Sequence, residues 1–147
     1  MVRVHIVGVD ATVRKLRALS DNVEDALDEG CEEAAEELWY AITEKFGRYQ
    51  PGWKHLSPET IRKKGHDEPL IDTGDMMFSF KTKTSNRTRK HTVTVYSDDE
   101  KLPYHVYGAP SANVPRRDPV RPTTREEREN CINIIKRKVR EVLKLWV

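Results

Sequence analysis

The chain has 147 residues, 37% of them hydrophobic and 34% charged, with a formal net charge of +2. That length supports one core and not two, so 1–147 reads as a single domain. No run approaches the roughly 18 apolar residues a membrane span needs, and the N-terminus lacks the charged-then-apolar build of a signal peptide. Cys31 and Cys131 form no CxxC pair and each falls on an apolar helical stripe, which makes them buried thiols of a reducing compartment.

Val2, Val4 and Ile6 alternate with Arg3 and His5 up to Gly8, the period of a half-buried strand. From Ala11 the spacing of Val13, Leu16 and Leu19 is helical, and Ser20-Asp21-Asn22 predicts a break there, because these residues cap helices rather than extend them. A second helix follows through Val23, Leu27, Cys31, Ala34, Leu38 and Ile42, with Gly47 placed to end it. Its expected length of about 37 Å is near the limit of a compact domain this size, so part of it should project or pack on a neighbour.

Tyr49-Gln50-Pro51-Gly52 reads as a turn, and Ser57-Pro58 to Gly65 as a two-turn helix with its N-cap and stop. After Asp72-Thr73-Gly74 the alternation of Met76, Phe78, Phe80, Thr82 and Thr84 predicts a strand, which Thr92 to Tyr96 should join as an antiparallel hairpin. Pro103 to Tyr107 is a candidate short strand. Residues 108–122 hold four of the eight prolines and are assigned as an extended loop that makes a poor core segment. Thr124 to Glu127 has the capping-box pattern and opens an amphipathic helix through Cys131, Ile132, Ile135, Val139, Val142, Leu143 and Trp146. The order predicts an α+β fold: a small antiparallel sheet with a long amphipathic helix and a C-terminal helix on one face.

The near-neutral total hides a polar molecule. Asp21, Glu24, Asp25, Asp28, Glu29, Glu32, Glu33, Glu36 and Glu37 occur with no base between them, whereas Lys81, Lys83, Arg87, Arg89 and Lys90 cluster in a hairpin with no acid. A heterologous contact between such surfaces repeats around a rotation to give a ring. The plainer reading of the acids is a solvated helix face. The bases are suited equally to DNA phosphates or to a neighbouring subunit, and with no aromatic interleaved among them they make no stacking platform. Arg116, Arg117 and Arg121 sit among prolines, and the expectation is that all three guanidinium groups protrude to meet another chain's carboxylates.

Catalytic readings are weaker. A single Asp72-Thr73-Gly74 in a mixed α+β chain is better explained as a turn than as half of an aspartic-protease dyad. Asp98, Asp99, Glu100 and Lys101 read as a charged turn rather than a nuclease centre. The five histidines have neither the i, i+4 spacing nor the cysteine partners of a metal site, so no cofactor, metal or catalytic residue is expected.

Several segments together carry a resemblance. Val4 to Asp10 followed by a Leu/Ala-rich helix, and Pro69-Leu70-Ile71-Asp72-Thr73-Gly74-Asp75-Met76-Met77-Phe78-Ser79, are similar to the tail-completion, or head-to-tail joining, minor tail proteins of long-tailed bacteriophages. Trp53-x-x-Leu56-Ser57-x-x-Thr60 with Lys63 resembles a stretch of the related virion-morphogenesis proteins. The resemblance implies a virion protein of the neck, assembled in the host cytoplasm as a cyclic, hexameric ring. Neighbouring neck and tail-tube proteins and DNA in the lumen would be its partners, with no membrane involved. On that reading Asp21, Glu24, Asp25, Asp28, Glu32, Glu36, Arg116, Arg117 and Arg121 form subunit contacts, and Lys81, Lys83, Arg87, Arg89 and Lys90 face DNA or a subunit. Tyr104 and Gly108 stand closer together than in that family, and Val120-Arg121 follows Pro119 where an aromatic is expected. A tail-terminator role and a free nucleic-acid-binding accessory protein are the alternatives.

Overall fold

The computed structural model of the chain describes residues 9–87 and 90–146; the strand predicted from Val2 to Gly8 lies outside them. In chain order the elements are α1 (Val9–Thr43), α2 (Pro58–Lys64), α3 (Asp75–Phe78), β1 (Phe80–Arg87), β2 (Lys90–Ser97), α4 (Leu102–Tyr107) and α5 (Arg121–Lys144). The architecture is α+β, with β1 and β2 antiparallel in a register that sets Phe80 opposite Ser97 and Arg87 opposite Lys90.

Helix α1 runs unbroken for 35 residues, through the break expected at Ser20-Asp21-Asn22. These are weak helix formers, but none is proline or glycine, and their summed propensity deficit of about 1.5 kcal/mol is less than nucleating a second helix costs. At 1.5 Å per residue α1 is about 52 Å long, beyond the roughly 38 Å diameter of a compact domain this size.

The core gathers at the C-terminal end of α1. Ile42, Phe46, Leu70, Met76 and Phe80 are buried together, with Trp39, Trp53, Ile71, Val95, Leu102 and Val120 around them. The Phe46 and Phe80 rings meet edge to face at 5.8 Å, and Trp39 Nε1 donates to the Phe80 carbonyl (3.0 Å), which fixes the start of the hairpin on α1. Leu70 holds a φ of 63°, a left-handed conformation costing on the order of 1 kcal/mol, and its side chain is buried in this core.

Helix α5 lies antiparallel to α1, Cys131 meeting Ala34 and Ile135 meeting Gly30. Ala26, Gly30, Cys31, Ala34 and Ala35 are all buried along α1, and these small side chains let the helices approach closely. Cys31 is buried as expected and Cys131 half-buried, both as free thiols. Counting on from Ile135, Lys144 comes level with about Asp21. Residues 9–20 of α1 therefore extend past the body as an arm about 18 Å long, along which residues 10–18 are all exposed.

The hairpin packs lengthwise on α1. Phe80, Thr82 and Thr84 share its inner face with His91, Val93, Val95 and Ser97. The expected strand at Met76–Phe78 is instead the one-turn helix α3: Gly74 (φ 91°) turns the chain, and the Thr73 side chain accepts weakly from the Asp75 N–H. The expected strand at Pro103–Tyr107 is helix α4, consistent with proline at the start of a helix. The turn at 49–52 is as expected, with Trp53 N–H donating to Gln50 O (3.0 Å) and Gly52 at φ 80°, the geometry of a type II turn. Ser57 caps α2 and Gly65 ends it, also as expected.

A Cβ on Gly30 would lie 3.0 Å from the Ile135 Cα. Gly30→Leu should force α1 and α5 apart and destabilise the fold by about 1–3 kcal/mol, despite leucine's better helix propensity. A urea-denaturation midpoint at or above that of the wild type would contradict this seam.

Candidate functional site

The nine acids of α1 do not act as one surface. Glu24 and Asp28 grip His91 of β2 from both sides, Oε2 of Glu24 at 3.0 Å from Nε2 and Oδ1 of Asp28 at 2.8 Å from Nδ1. Glu33 pairs with Arg137 and Lys138, and Glu29 with Lys138, all on α5. Glu24 and Asp28, expected at a subunit contact, thus hold the chain's own hairpin. Five remain, all exposed and without an ion pair among the described residues: Glu37, which stands about 100° round the helix from Glu36, and the set Asp21, Asp25, Glu32 and Glu36. At 3.6 residues per turn this set falls within an arc of roughly 60° along four turns of α1, the last two beside Thr82 and Thr84 of β1.

The register of the hairpin turns Lys81, Lys83 and Lys90 away from α1, together with Thr92, Thr94 and Tyr96. Lys81 reaches Asp98 (3.2 Å); Arg89 lies outside the described residues, and Arg87 is placed through its backbone pairing with Lys90. Tyr96 stands directly opposite Lys81 on this outer face, so an aromatic does accompany the bases. The hairpin register, counted outward from residues 88 and 89, is the signal that finds it.

The 108–122 segment is the largest departure from expectation. It is not a loose loop: Ala109 and Val114 bridge, and Arg117, Asp118 and Pro119 are buried. Arg117, expected to protrude, is only 4% exposed; its Nε and one terminal nitrogen donate to the Lys54 carbonyl (2.9 and 2.7 Å), and the latter also to His55 O (3.3 Å). Its N–H donates to His105 O (2.8 Å). Side chain and backbone of this one residue thereby tie three separate segments together. Asp118 accepts from the Val120 and Arg121 N–H groups (2.9 and 3.1 Å), so it caps α5, which starts three residues before the expected Thr124 box. Arg121 lies over the Tyr107 ring (4.5 Å). Arg116 and Arg121 are both exposed, their side chains at 60% and 50%, each near Asp118 (3.5 and 3.9 Å).

Between α2, the 71–76 turn and the 108–117 segment lies an open cleft of about 960 Å³. Lys54, Lys63, Lys64, Lys101, Arg116 and Arg117 line it against two carboxylates, Asp72 and Asp75. Residues from two of the three segments that carry the sequence resemblance converge here: Leu56, Ser57, Thr60 and Lys63, then Asp72, Thr73 and Gly74. Asp99, one of the acids weighed for a nuclease, accepts from Lys101 N–H (2.7 Å) and ends the hairpin turn. Among the described residues no group of His, Cys, Asp and Glu has metal-binding geometry, and no helix is long and apolar enough to cross a membrane.

His105 also lines the cleft, and its buried Nδ1 has no partner. Burial, then the Arg117 charge, with smaller pushes from Lys64 and Lys101 and an opposing pull from Asp99, lowers its pKa below the ordinary histidine value.

Two outcomes are expected. Arg117→Met leaves the Lys54 and His55 carbonyls without their donor and should cost roughly 2–4 kcal/mol in urea denaturation, whereas Arg116→Met should change stability by less than about 0.5 kcal/mol. Above about pH 6.5 His105 is neutral in folded and unfolded chains alike. As pH falls below that value the unfolded chain takes up the proton first, so stability is lost through the lower folded-state value. His105→Gln should flatten this part of the stability curve; an unchanged slope would show that His105 does not set it.

Compared with family models, curated proteins and solved structures, the chain matches none of them.

Proposed function

We propose that this chain is a structural subunit of a phage neck, forming a ring that joins head and tail and acting through contact rather than catalysis. The observation that carries this reading is the arm. A helix of 12 residues beyond the body leaves Val13 and Leu16 exposed at 38% and 59%. Leu143, Leu145 and Trp146 at the end of α5 are exposed as well, which gathers apolar surface at the same end of the molecule as the arm. The sequence resemblance supplies the identity of the assembly, and two of its segments line one cleft.

The outer face of the hairpin, with Lys81, Lys83, Lys90 and Tyr96, favours a second reading as a nucleic-acid-binding accessory protein. One experiment separates them. Light scattering and negative-stain electron microscopy of the purified chain should show a closed ring, and removal of residues 1–18 should leave a folded chain with a smaller oligomer. A wild-type chain that stays monomeric and retards duplex DNA, with affinity falling steeply from 50 to 200 mM salt as about one counterion per phosphate contact is released, would overturn the neck reading in favour of the second.

A further inference from the structure

The cleft and the acidic stripe are complementary, and one molecule cannot bring them together. Three of the six bases in the cleft are already engaged: Lys63 with Glu59 (2.8 Å), Lys64 with the Glu68 carbonyl (2.7 Å) and Arg117 with the backbone. Lys54, Lys101 and Arg116 are exposed at its rim. The opposing carboxylates in its wall are Asp72 and Asp75, and Thr73 Oγ1 donates to Asp75. Among the described residues Lys54 and Lys101 have no ion pair, and Arg116 keeps only a long contact with the buried Asp118 (3.5 Å), so the rim is left with a surplus of cations.

Asp21, Asp25, Glu32 and Glu36 present the converse surplus. They span 16 residues, about 22 Å of helix, on the side of α1 left open between the hairpin and α5. The cleft lies around α2 and α4, among segments that follow the C-terminal end of α1, while the stripe occupies its middle turns.

We infer that the acidic stripe of one copy docks against the Lys54, Lys101 and Arg116 rim of the cleft in the next. The inference rests on the assembly reading above and names the contact inside that assembly. Because the two patches are different surfaces of the same chain, the contact is head-to-tail: each copy offers a cleft to one neighbour and a stripe to the other. Close opposite charges at such a contact fix register and make association dependent on salt.

A charge-swap pair tests it. Lys101→Glu with Arg116→Glu reverses the cleft; Asp21→Lys with Asp25→Lys reverses the stripe. All four positions are exposed, and circular dichroism establishes that both variants are folded. Each variant alone should dissociate at concentrations at least roughly tenfold higher than the wild type. Mixed in equal amounts they should reassemble, since the unaltered stripe of the first meets the unaltered cleft of the second and the reversed surfaces match each other. Folded variants that assemble as well as the wild type, or that fail to reassemble when mixed, overturn the contact and leave the assembly reading standing. A cleft variant that assembles normally but no longer retards duplex DNA would likewise overturn it and make the cleft a phosphate site. A wild-type chain that never associates fails the assembly reading itself, and the contact with it.

Discussion

Packing in this chain is organised on α1, and what allows one helix to serve two partners is the smallness of its side chains along the α5 seam. Gly30 and Ala34 bring the α5 backbone close enough that even a methyl group on Gly30 would crowd Ile135. Close approach puts Glu29 and Glu33 within reach of Arg137 and Lys138. These exposed pairs contribute little each to stability, but they fix the rotation of α1, and the rotation decides which acids face the hairpin and which face water. Glu24 and Asp28 turn to His91; Asp21, Asp25, Glu32 and Glu36 turn outward.

The second organising group is Arg117, and here the physics runs against composition. A buried guanidinium is costly unless its donors are matched, and Arg117 finds the Lys54 and His55 carbonyls. With Asp118 capping α5 and Pro119 buried beside it, a stretch rich in proline and charge becomes the joint between the hairpin end of the molecule and its last helix. That joint shapes the cleft: a proline-stiffened segment held at Arg117 leaves Arg116, its neighbour, outside.

Much of the fold was legible in the sequence where a period or a cap set the outcome by itself. The α+β class, the apolar seams of α1 and α5, the cap and stop of α2, the turn at Pro51-Gly52 and the hairpin all follow from local rules that tertiary contacts do not reverse. The misreadings fall where tertiary contacts decide. Ser20-Asp21-Asn22 has cap chemistry, but α1 already has a helix on both sides of it to propagate. Met76 to Phe78 alternates like a strand, yet Gly74 turns the backbone into a helical turn that buries Met76 in the core and leaves Phe78 exposed. Arg117 looks like Arg116 in the sequence; only the carbonyls of residues 54 and 55, over sixty positions away, tell them apart. For the candidate surfaces the position of charge was legible but its disposition was not, since pairing within the chain removes about half of the acidic run.

That removal sharpens the electrostatic argument rather than weakening it. Had all nine acids faced solvent, they would describe a solvated helix and nothing more. After His91, Arg137 and Lys138 have taken their share, four of the remaining five fall in one narrow stripe, while the cleft keeps Lys54 and Lys101 without an ion pair among the described residues, and Arg116 only loosely held by Asp118, after Glu59, the Glu68 carbonyl and the backbone have taken theirs. Two leftover surfaces of opposite sign, displaced along one rigid spine, have no arrangement within the molecule that neutralises them. A second copy, shifted along the spine by their separation, neutralises one of each and presents the same two again. An uncapped repeat of that kind either closes on itself or continues as a filament, and the arm and the exposed end of α5, which belong to neither surface, supply a further contact to the same assembly.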